Sequence, residues 1–343
     1  MTNRNQKKIN KHIYFERRLN TPRKFNSSDF LKTVKPNWNM PCHSCEGRLE
    51  TKRVIINSEI LNTNTYDMKK RSKIFFELKK IVRKTNLSKF CIPLLHGSYA
   101  TGTITNFSDI DIILILFKST YSSFKNIKEL KKKSEYIIRY IYKIDPLMHH
   151  GINIIFQDDF LHYNESILPI NALKKSVSLS DEKVTIDIYS CFKCSMENNI
   201  KYLQRYSSSL SKFEIEKTDP LNLYELKSII SGLFLASVVF FQVKNRSFHY
   251  KGDCIEEVKV YFSKKKIFII EEFSAIRREW PKELTHAFFY FFLFSNTVFH
   301  PEYSKHLFYK FQKRKINKEI YNIFRAALRK DKNKLIEQID ILL

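Results

Sequence analysis

Between residues 66 and 84 the apolar positions Ile74, Phe75, Leu78, Ile81 and Val82 recur with helical spacing, and lysines fill the remaining face. Lys89–His96 is then a continuous apolar run that predicts a short buried strand leading into Gly97-Ser98. A second run, Asp109–Phe117, predicts another strand. Phe124, Ile127, Leu130, Ile137, Ile138 and Ile141 line one side of a further helix, which Asp145-Pro146 should end. Residues 151–156 and 183–189 are the next strand candidates. Beyond Met196 the pattern is helical almost throughout, over 196–208, 221–244, 253–263, 281–296 and 316–341.

Strands alternating with amphipathic helices predict an α+β fold, a mixed sheet flanked by helices and followed by a helical domain. The expected divisions are an irregular basic arm over 1–64, punctuated by Pro22, Pro36 and Pro41, then a catalytic domain over 65–200 and a helical domain over 201–343. The Ser-rich Ser207–Ser211 and Asp219-Pro220 mark the second boundary. No internal repeat interrupts this plan. The two most apolar stretches, 228–243 and 287–299, are shorter than the ~20 residues a membrane-spanning helix needs, so both predict buried core helices. The first residues lack the apolar segment of a secretory signal, and a cytoplasmic protein without membrane contact is expected.

Charge changes this picture in one respect. The 343 residues hold 60 Lys+Arg against 35 Asp+Glu, a net charge of +25. The excess is concentrated in residues 1–35 (+8), 69–84 (+7) and 303–334 (+9). Clustered positive charge suits a polyanionic partner such as RNA. A codon bias that enriches Lys, Asn and Ile together would produce similar totals. The six cysteines raise a separate question. Cys42-x-x-Cys45 and Cys191-x-x-Cys194 have the chelating spacing of a zinc site, but Cys45 and Cys191 stand 146 positions apart, whereas a zinc ribbon separates its pairs by ~15–20. Four unrelated thiols in a reducing compartment is the plainer expectation, and neither pair is expected in the strand–helix setting of a thioredoxin-like motif.

Asp109 and Asp111 alternate onto one side of their strand, while Ile110, Ile112 and Leu114 take the other. Two nearby carboxylates repel and raise each other's pKa, and a hard divalent cation relieves this. Gly97 permits a sharp turn after a strand, and Ser98 then opens a helix whose amides and hydroxyl suit a phosphate. A lone helix cap would also explain Ser98. Together the two halves describe a site for a nucleoside triphosphate and one or two Mg²⁺ (or Mn²⁺) ions.

Gly97-Ser98, Thr101-Gly102-Thr103 and Ser108-Asp109-Ile110-Asp111, followed by the apolar Ile112–Leu116, resemble the signature of the polymerase-beta-type nucleotidyltransferase superfamily. The resemblance covers residues 94–116. It implies a Mg²⁺-dependent transferase that moves NMP from an NTP, with ATP the expected one, to a hydroxyl and releases pyrophosphate. Asp109 and Asp111 would be metal ligands, and Gly97 and Ser98 would bind the triphosphate. The family adds a third carboxylate on a later strand. Asp187 is the choice here, because Ile186 and Ile188 face the core and leave it on the opposite side; His149, His150 and Asn153 are its rivals. Tyr250-Lys251, after the apolar helix, could face the nucleotide by analogy. The acceptor could be RNA or a nucleotide; alternatives are transfer to a small molecule or protein, or a degenerate domain acting as a binding module.

Overall fold

In this computed structural model, which describes residues 49–60, 68–145, 152–211, 223–280 and 318–343, two sheets organise the first half of the chain. Its strands and helices run β1 (Glu50–Ile56), α1 (Met68–Thr85), β2 (Cys91–His96), α2 (Gly97–Thr101), β3 (Asp111–Leu116), α3 (Lys118–Tyr121), α4 (Phe124–Ile144), β4 (Asn153–Phe156), α5 (Ile170–Lys174), β5 (Val177–Ser178) and β6 (Val184–Ser190). Helices α6 (Phe192–Ser211), α7 (Leu223–Asn245), α8 (Lys251–Lys264), α9 (Ile269–Arg278) and α10 (Lys318–Leu342) follow.

The larger sheet has the order β4-β3-β2-β5. β2 is antiparallel to β3 and β5, and β3 is parallel to β4, so the sheet is mixed as expected. The parallel pair needs a crossover, which α3 and α4 supply. β3 is apolar on both faces because both are covered. Ile112, Leu114 and Leu116 pack with Ile74, Leu78, Leu130 and Ile137 of the flanking helices. Ile113 and Ile115 pack instead with Val54, Ile56, Ile186 and Ile188 of the second, two-stranded β1–β6 sheet. Helix α7 carries buried Leu226, Ile230, Leu233 and Phe234 and packs against α6 and α8, while α10 packs on α6 and α9. It is a core helix, and no helix among the described residues is long and apolar enough to cross a membrane.

Four expectations need correction. Glu50–Ile56 falls in the stretch expected to be irregular, yet it is a strand: Val54 and Ile56 are buried, while Lys52 on their face and the exposed Ile55 between them mask its alternation. The metal-site strand begins at Asp111; Asp109 precedes it, after a turn closed by Ser108 N–H donating to Thr105 O (3.0 Å). Helix α9 was not foreseen, being short and cut off from α8 by only a few residues. Finally, Cys191-x-x-Cys194 does join a strand to a helix, β6 to α6, and both sulfurs are disulfide-bonded. His149, His150, Cys42, Cys45 and the helix expected over 281–296 lie outside the described residues.

Candidate active site

The site begins where β2 ends. Gly97 has φ +69°, a left-handed conformation that suits glycine, and a β-carbon there would lie 2.5 Å from Asp111 Oδ2. The absent side chain therefore makes room for a carboxylate on the neighbouring strand, where Asp111 is paired with His96. Helix α2 is only five residues long and is fixed from outside. Buried Arg71 on α1 donates from Nε to Tyr99 O (2.8 Å) and from its other end to Ala100 O. Gly102 ends the turn at φ 84°, its N–H donating to Ser98 O at 2.8 Å.

Three cations converge on the carboxylates. Lys227 of α7 is 1 % exposed; its ammonium bonds Asp109 and lies 3.7 Å from Asp145 Oδ1. Burial pulls Lys227 down, but Asp109 and Asp145 outweigh it and hold its pKa above the ordinary range. Asp111 is the opposite case. By surface area it is partly exposed, but its carboxyl is lodged against Gly97, and burial followed by repulsion from Asp109 pushes it up to about 8 despite Lys251 and Lys227. Lys251, the first residue of α8, is pushed down to about 8 by burial and by Arg277, against the pull of Asp111 and Asp109. Arg277 of α9 stacks over Phe107 (5.1 Å) and Phe234 (4.7 Å), and its Nε is buried without a hydrogen-bond partner among the described residues. Burial lowers its pKa too. Next to Lys251, Tyr250 hydrogen-bonds Thr101 and sits 6.3 Å from the His96 ring. Helices from the second half thus close over the turn and carboxylates of the first.

An Asp109–Asp111 pair fits Mg²⁺ on donor chemistry. Its oxygens are hard, and a divalent cation would offset the repulsion between Asp109 and Asp111 that, after burial, raises Asp111. No group of three or more candidate ligands is assembled among the described residues. Mg²⁺ commonly needs only one or two carboxylates when substrate phosphates complete its shell.

Asp187 is elsewhere. It projects from β6, which pairs with β1 in the other sheet, and is bonded to Arg53 through Oδ1 (2.8 Å), an exposed pair that holds its pKa below the usual carboxylate range. Asn153 opens β4 opposite Ile113 and is exposed. The structure thus brings together Gly97, Ser98, Asp109 and Asp111, and leaves Asp187 outside that group. Sequence reasoning reached Lys251 and missed Asp145, Lys227, Arg277 and Arg71. Asp145 had served only as a helix stop. Lys227 carried a usable signal, since it is a cation in a helix otherwise apolar enough to be buried, and such a charge needs a partner.

Residues 77–168 match the family model of the nucleotidyltransferase domain. No curated protein and no solved structure matches the chain.

Proposed function

We propose that the chain, whose residues 77–168 match the nucleotidyltransferase domain, is a transferase that moves NMP from an NTP, ATP foremost, to a hydroxyl group with loss of pyrophosphate. The observation that carries this reading is the meeting of Asp109 and Asp111 with Lys227, Lys251 and Arg277 beside the open turn at Gly97. Gly97 and Ser98 receive the triphosphate, and Lys251 and Arg277 offset its charge. Asp109 and Asp111 hold Mg²⁺ or Mn²⁺, which when bound polarises the phosphoryl oxygens and favours in-line displacement. Strand alternation supports Asp187 as a third carboxylate; sharing Lys227 with Asp109 supports Asp145, and we favour Asp145. Lys227 then offsets the charge of Asp109 and Asp145 and orients them.

RNA is the favoured acceptor. On α1, Lys73, Phe76, Lys80 and Lys84 follow one another at helical spacing, all exposed, and Phe76 is 63 % exposed. Cations interleaved with an exposed ring suit a single strand, whose phosphates pair and whose bases stack. The test is incubation of the protein with each labelled NTP and Mg²⁺, with and without total RNA. Label transferred to RNA, and lost in Asp111→Asn, supports the reading. Label transferred only without RNA moves the acceptor to a small molecule or protein. Tight NTP binding without turnover identifies a binding module.

A further inference from the structure

Lys227 joins two acids that come from different elements. Its ammonium bonds Asp109, just before β3, and lies 3.7 Å from Asp145 Oδ1 at the end of α4. The Phe107 ring is a third partner, its centroid 5.5 Å from the nitrogen, and Trp280 holds that ring edge-on at 4.9 Å. Asp145 is fixed as well, because it caps α4 and its N–H donates to Ile141 O at 2.8 Å. A carboxylate at a helix C-terminus opposes the helix dipole unless a cation meets it. Here the cation is the lysine.

Phosphoryl-transfer sites with two metals hold their ions about 3.5–4 Å apart, one for the attacking oxygen and one for the leaving oxygen. Ions that close need a carboxylate in common and further acids of their own. Asp109 and Asp111 make one such place. A second would lie between Asp109 and Asp145, and a nitrogen in reach of both acids already fills it. An ionised carboxylate has about four lone-pair directions, so Asp109 can accept Lys227 on Oδ1 and still serve a divalent ion beside Asp111. Room for another ion beside Asp145 would require the ammonium to leave both acids. Its side chain is buried and α7 is packed on α6 and α8, where an unpaired charge is strongly disfavoured.

We infer that the site takes one divalent ion, at Asp109 and Asp111, and that the Lys227 ammonium is a built-in cation in the second place. The inference rests on the nucleotidyltransferase reading above and gives that site its charge pattern: Asp145 serves the lysine and not a metal.

The test counts Mn²⁺ by electron paramagnetic resonance as it is titrated into the full chain with α,β-methylene-ATP, which cannot be cleaved between its first two phosphorus atoms. One Mn²⁺ per complex is expected, without coupling to a second. Lys227→Ala vacates the place between Asp109 and Asp145. It should bind a second Mn²⁺, show the dipolar coupling of ions about 3.5–4 Å apart, and gain more melting temperature from Mn²⁺ than wild type does. Two coupled ions in wild type would overturn the inference and leave the nucleotidyltransferase reading standing. A folded Lys227→Ala that still holds a single ion would overturn it too, since the ammonium would then not occupy an ion's place. Failure of wild type to bind the analogue would defeat the nucleotidyltransferase reading and this inference with it. The wild-type count needs no variant, so a folding defect in Lys227→Ala leaves it decisive.

Discussion

Asp111 carries a cost in the nucleotide-free protein that an amide would not. Its folded pKa, about 8, lies above the ordinary carboxyl value near ~4. Its contribution to stability is thus complete below about pH 4 and is lost as pH rises towards 8. Asp111→Asn should therefore melt no lower than wild type in EDTA at pH 7, and its advantage should grow from pH 5 to pH 9, while transfer disappears. A variant that melts lower throughout would contradict this electrostatic account. Lys227→Met should behave in the reverse way. It leaves Asp109 and Asp145 buried without their counter-ion, and breaking such a pair costs about 3–5 kcal/mol, readable by urea denaturation. Gly97→Ala meets both a positive φ and the Asp111 oxygen, so a loss of about 1–2 kcal/mol from the backbone alone should accompany lost activity. At this scale the sequence revealed the residues that form a local motif. It concealed Asp145, Lys227 and Arg277, because their meaning depends on what a distant helix brings to them.

Among the elements, α2 is the one whose position is borrowed. Five residues cannot hold a helix in place, and Arg71 does so by donating to two carbonyls at its far end. Arg71→Met should cost about 3 kcal/mol through two lost charged hydrogen bonds and should also lower NTP affinity, measured by calorimetry alongside melting. Ser98→Ala removes a single bond and keeps the amides, so nucleotide affinity or rate should fall by about one to two decades without a change in melting; no change would reduce Ser98 to a cap. Most elements were legible because periodicity records burial: α1, α4, α7 and β2 are where their apolar spacing placed them. β1 was not, since a lysine stands on its buried face at Lys52 and an isoleucine on its exposed face at Ile55, which breaks the expected alternation. The strand–helix setting of Cys191–Cys194 escaped for a related reason: the helix begins on the cysteines themselves, before any period can establish itself.

For the whole molecule, the charge pattern makes a thermodynamic prediction. If α1 grips a single-stranded backbone, log K should fall against log salt with a slope of about −0.7 per phosphate contacted. Lys73→Ala/Lys80→Ala/Lys84→Ala should flatten that slope by up to about two units and leave NTP binding intact, in filter-binding titrations from low to high salt. A wild-type slope near zero would detach α1 from RNA. The ion pair between Lys227 and Asp109 has a temporal consequence as well. Its partners are 118 residues apart, so a ribosome working at about 5–20 residues per second delivers the lysine roughly ten seconds after the aspartates. During that interval the nascent sheet holds its carboxylates without the buried ammonium that later neutralises them. The final closure of this fold must wait for translation to reach α7, and until then the emerging chain depends on water, counter-ions or chaperones to keep those charges solvated.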